Sequence, residues 1–249
     1  MQKPTRIQKK HRRLKRLLSF LLILAIMVLL TSFSLNSSFF NISKINIKGI
    51  SNLNRDNILH TSSINIGENI FRVSTRDAEE NILQLPYTKS VTVKRSLPNN
   101  INIEITERED KLLVRNISSY FLIDDEGFIL NQIDTNLESL PVVFGLKTDK
   151  IDIGDNLFSN LEIEEFEEFV KVSLDLDILS KIERLELNSE ENVKILINNG
   201  IDVAFGSLNN VEYKLRLLSE ILDNSKDNEI VIKRILMDRG EHPIVVVDE

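Results

Sequence analysis

The chain alternates between one long apolar block and many short runs in which apolar and polar residues take turns. The block is Leu17 to Leu35, LLSFLLILAIMVLLTSFSL, with no charged residue, Gly or Pro. At about 1.5 Å per residue it makes a helix of roughly 28 Å, close to a bilayer's hydrocarbon thickness, and it predicts a membrane span. Ser32-Phe33-Ser34 imitates a signal-peptide cleavage site. A signal-peptide core is only about 7–15 residues long, so an uncleaved anchor is expected instead.

Beyond the span the pattern changes to short elements. Ile45 and Ile47 alternate with polar neighbours and predict a strand within Ile42–Ile50. Asn54-Arg55-Asp56 offers a helix cap before Ile58 and Leu59, and Ser74-Thr75-Arg76-Asp77 offers a second before Ala78, Ile82 and Leu85, a helix that Pro86 ends. Ser90–Arg95 and Ile101–Thr106 alternate on either side of a Pro-Asn-Asn turn and predict a hairpin. The order β-α-α-β-β leaves both helices free to cover one face of a three-stranded sheet.

After Glu109 the reading is mostly β. Tyr120–Ile123 and Phe128–Leu130 flank Asp124-Asp125-Glu126-Gly127, a hairpin turn, and Leu140–Gly145 is a short extended run. Leu157–Leu176 reads as one helix with Ile163, Phe166, Val170 and Leu174 on one face. Val193–Ile197 and Ile201–Phe205 form a hairpin around Asn198-Asn199-Gly200. A helix from about Asn209 to Leu222 carries Val211, Leu215, Leu218 and Leu222, and Asp223–Glu229 is expected to be a loop. Two strands close the chain, Val231–Asp238 and Ile244–Val247, joined by a Gly240-Glu241-His242-Pro243 turn. The fold class is α+β: a transmembrane helix (17–35) after a basic tail (1–16), a β-α-α-β-β domain (39–108), and a second α+β domain on a mostly antiparallel sheet (109–249).

Charge sharpens the topology. Eight Lys and Arg residues and no acid lie in Met1–Arg16, and without those eight the net charge of −7 becomes −15. The basic tail is expected to stay cytoplasmic and the acidic remainder to lie across the membrane. An acidic exterior argues against nucleic acid or anionic lipid as that part's partner. With no Cys, disulfides and thiolate chemistry are excluded.

Catalytic constellations are missing. His11, His60 and His242 are too scattered to serve as metal ligands, and the glycines form no phosphate-binding motif, so no cofactor, metal or small-molecule substrate is expected. Glu162, Glu164, Glu165, Glu167 and Glu168 flank Ile163 and Phe166 and fit the solvated side of an amphipathic helix. What remains is surface. Ile244-Val245-Val246-Val247 could be an edge strand able to accept a partner strand, or an interior strand buried on both faces, and the residues alone do not decide between them.

The order of elements in 39–108 resembles a POTRA domain. A membrane anchor followed by one such unit is similar to the bacterial cell-division family FtsQ/DivIB. The residues carrying the likeness are Phe40, Ile45, Ile47 and Gly49, then Val91-Thr92-Val93-Lys94-Arg95-Ser96-Leu97-Pro98-Asn99 and Ile101–Arg108, with the Asp-Gly turn, Leu140-Pro141 and Gly145 further on. Where the family often has an aromatic residue before the proline, this chain has Leu97. The resemblance implies a non-enzymatic scaffold at the division septum. It implies DivIC/FtsB-like and FtsL-like membrane partners and an indirect link to the septal peptidoglycan synthase. It assigns partner binding to Arg239, Ile244, Val245, Val246 and Val247, and POTRA contacts to Val91, Val93 and Arg95. A POTRA-bearing envelope chaperone or translocation component is the alternative reading, and a cell-wall hydrolase a more distant one.

Overall fold

The computed structural model describes residues 6–137, 139–148, 151–161, 163–187, 192–239 and 242–247, with side chains from Leu14 onward. Helix α1 spans Arg6–Asn36, so the helix runs on from the apolar block into the basic tail. Within it Leu14–Asn36 is long and apolar enough to cross a membrane, and none of its apolar stretch is buried inside the protein. The chain divides into two compact units. One comprises residues up to Leu83 with Thr88–Glu107, and the other comprises Gln84–Tyr87 with Arg108–Glu249.

The first unit carries a three-stranded sheet in the order β1-β3-β2, with β1 (Lys44–Lys48) parallel to β3 (Asn100–Glu107) and β2 (Thr88–Ser96) antiparallel to it. Helices α2 (Arg55–Ser62) and α3 (Thr75–Ile82) start where their caps predict. The Asn54 side chain accepts the Asp56 N–H, and Ser74 Oγ accepts that of Asp77. The second helix ends at Ile82, short of Pro86, so Leu85 lies outside it. Ile45, Ile101, Ile103 and Ile105 of the strands and Ile58, Ala78 and Ile82 of the helices are buried, as period 2 and period 3.6 require.

Two contacts fix the far end of this sheet. Gly49 takes φ +80°, and a Cβ there would lie 1.9 Å from the carbonyl oxygen of Ile105, so only glycine fits. The Glu107 carboxylate accepts the backbone N–H groups of Ser51, Asn52 and Leu53 at 2.8–2.9 Å. Glu107→Ala leaves three donors of the loop before α2 to water, and an expected loss of about 1–3 kcal/mol is read by urea denaturation. Glu107→Gln keeps one acceptor oxygen and recovers part of it.

The second unit is built on a sheet whose described strands number nine, in the order β12-β11-β10-β9-β8-β7-β4-β5-β6. These are β4 (Leu112–Asn116), β5 (Ser119–Ile123), β6 (Ile129–Ile133), β7 (Val142–Phe144), β8 (Ile182–Leu187), β9 (Val193–Ile197), β10 (Asp202–Gly206), β11 (Ile232–Leu236) and β12 (Ile244–Val247). The pairs β4·β7, β7·β8 and β10·β11 are parallel and the other five antiparallel, so the sheet is mixed with antiparallel pairs in the majority.

Two details depart from the sequence reading. The expected helix over Leu157–Leu176 is two, α4 (Leu157–Leu161) and α5 (Glu164–Asp175), with Ile163 in the N-cap position of the second. Helix α6 (Val211–Asp227) continues through most of the expected loop, since Ser225 Oγ bonds the Leu222 carbonyl and polar residues there ride on an established helix. Phe166, Phe169 and Val170 of α5 and Val211, Leu215 and Leu218 of α6 pack into one core with Leu185, Ile195, Val203, Phe205 and Ile235 of the sheet. On the sheet a smaller cluster joins Leu113, Leu122, Leu130 and Val142.

Candidate partner-binding edge

Among the described residues, strand β12 lies at one end of the nine-stranded order and pairs only with β11. All four residues, Ile244, Val245, Val246 and Val247, are exposed, between 38% and 49%. The apolar run is therefore an edge strand, and the buried interior alternative does not hold. Its register on β11 is Leu236↔Ile244, Ile235↔Val245 and Arg234↔Val246.

Hydrogen-bond direction along β11 settles which groups of β12 point outward. The Met237 N–H donates to the Ala204 carbonyl of β10 at 2.8 Å. Backbone groups alternate sides along a strand, so Ile235 also faces β10, while Arg234 and Leu236 face β12. Val246 and Ile244 therefore bond to β11, and the N–H and C=O of Val245 point away from the sheet. An incoming strand would meet Val245 first.

Beside this edge lies an open cleft of about 400 Å³, lined by Tyr213, Lys214 and Leu217 of α6 and by Met237, His242 and Pro243 around β11 and β12. Tyr213 is 60% exposed. Lys214 Nζ donates to the carbonyls of Ser207 (2.7 Å) and Phe205 (3.3 Å), and burial pushes its pKa below the ordinary lysine range. Tyr213 was not among the residues the sequence pointed to. Its signal was an aromatic residue placed off the stripe Val211, Leu215, Leu218 and Leu222. Arg239 is exposed in the connection from β11 to β12, and Gly240 and Glu241 of the expected turn lie outside the described residues.

The other residues named for contact are placed differently. β2 is an edge of the three-stranded sheet, yet Val93 is buried and Val91 half-buried. The Val93 N–H donates to the Glu79 carboxylate of α3 at 2.6 Å, and the Arg95 guanidinium donates to the carbonyls of Ile70 and Val73. These groups serve the domain's own fold, with Glu79 occupying a donor that an added strand would need. Glu164, Glu165 and Glu168 are exposed on α5 and Glu167 pairs with Lys171, as a solvated face requires, while Glu162 lies outside the described residues. Among the described residues no group of three His, Asp or Glu side chains is placed to hold a metal ion.

A helix long and apolar enough to cross a membrane, a β-α-α-β-β unit and a mixed sheet with an exposed terminal edge thus follow one another along the chain. Comparison with known proteins narrows what that order can be. Residues 40–108 match the family model "POTRA domain, FtsQ-type" and residues 112–246 match "Cell division protein FtsQ/DivIB, C-terminal". A cell division protein DivIB of Clostridium botulinum is 30% identical over 87% of this chain and 85% of its own. A cell division protein FtsQ of Corynebacterium glutamicum is 29% identical over 73% of this chain and 78% of its own. The solved extracytoplasmic domain of DivIB from Geobacillus stearothermophilus is 18% identical with a TM-score of 0.35, covering 49% of this chain and 98% of that one. The chain belongs to the FtsQ/DivIB family of bacterial cell division proteins, and its one N-terminal apolar helix fits a single-pass membrane protein.

Proposed function

We propose that this chain is a non-catalytic scaffold of the division septum, with its N-terminus in the cytoplasm and both folded units outside. It holds a DivIC/FtsB-like partner by strand addition at β12, with an FtsL-like protein joining the same assembly, and so couples septum formation to septal peptidoglycan synthesis. The observation that carries the reading is the outward-facing backbone of Val245 on an exposed edge strand. Backbone bonds supply affinity in this mode, and the cleft beside Tyr213 supplies a place for a partner side chain. The basic run ahead of the apolar block Leu17–Leu35 supports the orientation. Arg239 and the side chains of Ile244 to Val247 form the rest of the contact surface.

Proline scanning of β12 tests this. Val245→Pro removes an outward donor and leaves the β11 ladder in place. Capture of the organism's own DivIC-like protein should weaken at least tenfold, the equivalent of about 1.4 kcal/mol, while the melting temperature stays close to that of the parent. Val246→Pro removes a donor from the β11 ladder itself and should lower both binding and stability. Full partner binding by a folded Val245→Pro protein would sink strand addition.

A further inference from the structure

We infer that the POTRA unit is seated on the outer face of the bilayer by a chain of phenylalanine rings around the exit of α1, so that it rides on the lipid headgroups. The inference rests on reading α1 as the membrane span.

The connection from helix to domain has almost no slack. α1 ends at Asn36, and a 3-10 turn over Ser38–Phe40 begins after a single residue, Ser37, whose hydroxyl caps it. Two side chains of the domain then reach back to the last helical turns. Asn69, itself 7% exposed, donates to the carbonyl of Ser34 at 2.9 Å, and Arg72 donates to the side chain of Asn36 at 3.1 Å. The backbone of Ile70 donates to the carbonyl of Phe40. The domain is thus bonded twice to the last turn of α1 and once to the 3-10 turn that follows it.

At this junction the rings form a continuous series. Phe33, inside the last apolar turns of α1, meets Phe40 edge-on at 6.4 Å, and Phe40 meets Phe39 and Phe71 at 5.1 Å each. Two ring-to-ring steps therefore lead from a residue within the span to Phe71 on the domain. Phe39 is 62% exposed and Phe71 39%.

Leu97, 59% exposed, belongs to the same end of the sheet. The turn that holds it is tied to the start of β1 by the Ser43 N–H bond to Asn99, and β2 beside it is tied to Phe71's segment by Arg95. Exposed phenylalanine rings beside a helix leaving the bilayer, with the exposed Arg72 alongside, are the pairing of apolar and basic side chains that buries at the headgroup–acyl boundary. Continuity with the span selects the bilayer as occupant over a separate protein.

The chain has no Trp, so a single substitution installs a unique reporter. Full-length protein carrying Phe39→Trp, Phe71→Trp or Leu83→Trp would be reconstituted into phosphatidylcholine–phosphatidylglycerol vesicles. Leu83 follows α3 beside the start of β2, at the other end of the sheet, and is 45% exposed. Bromines on the upper acyl carbons probe the headgroup–acyl boundary, where interfacial apolar faces lie about 5–10 Å deep. The expected result is emission at positions 39 and 71 that is blue-shifted and quenched about twofold or more by brominated lipid, with position 83 unaffected. The two interfacial positions report independently, and circular dichroism identifies any variant that misfolds.

Positions 39 and 71 quenched no more than position 83, in protein that floats with the vesicles, would overturn the seating and leave the membrane span standing. Emission that shifts only on adding the DivIC-like partner would overturn it in favour of a protein contact. Protein that fails to float would overturn the span and the seating together.

Discussion

Phe169→Ala lowers the stability of the second unit by about 3–5 kcal/mol, the range for deleting a fully buried aromatic side chain. Phe169 is 0% exposed and stands between two other rings, stacked on Phe166 at 6.4 Å and meeting Phe205 of the sheet edge-on at 5.6 Å. Phe158 extends the row by meeting Phe166 at 5.7 Å. These rings join α4 and α5 to the sheet, so truncating the central one opens a cavity that rigid neighbours cannot collapse into. Urea denaturation followed by circular dichroism measures the loss. Phe169→Leu refills most of the volume and should cost roughly half as much or less. Equal stability of the alanine variant and the parent would show that this row is not the centre of the core.

Arg108→Met is expected to cost about 3–5 kcal/mol, because it strands a buried carboxylate. Arg108 donates to Asp124 at 2.6 Å and to Glu126 at 2.7 Å, and Asp124 is 0% exposed. The guanidinium also lies 3.7 Å from the centre of the Phe128 ring. Methionine preserves much of that packing and removes the charge. Asp124 has a second duty, since its other oxygen accepts the N–H groups of Glu126 and Phe128 and shapes the hairpin turn. The pair Arg108→Met with Asp124→Asn separates the two duties: the amide oxygen still serves the turn, the stranded charge is gone, and the double variant should be more stable than Arg108→Met alone. A double variant no better than the single one would place the cost in lost packing.

Much of this arrangement was readable from the chain because it depends on local chemistry. The caps at Asn54 and Ser74, the hairpin turn at Asn198–Gly200 and the alternation of Ile101, Ile103 and Ile105 are settled within a few residues. Strands β4 and β8 were not legible. Leu112-Leu113-Val114 is a continuous apolar run buried on both faces, which has no period to detect, and β8 carries the mixed sequence Ile-Glu-Arg-Leu-Glu-Leu. The break between α4 and α5 was equally hidden, since Ile163 keeps the helical stripe while serving as the N-cap.

The candidate site was legible as four apolar residues, with Arg239 added only by the family resemblance. Whether they form an edge depends on the order of the whole sheet, and which carbonyl and N–H face outward depends on a bond between Met237 and Ala204 two strands away. Val93 and Arg95 show the converse. Their alternating pattern is that of any edge strand, and only tertiary structure reveals Glu79 and the carbonyls of Ile70 and Val73 as their partners.

The bare flank of β12 also bears on self-association. A row of backbone donors and acceptors with valine side chains does not distinguish a cognate strand from the same strand in another molecule. Under the proposed strand addition, chain made without a partner presents a self-templating edge, and co-production with that partner would keep it from self-association.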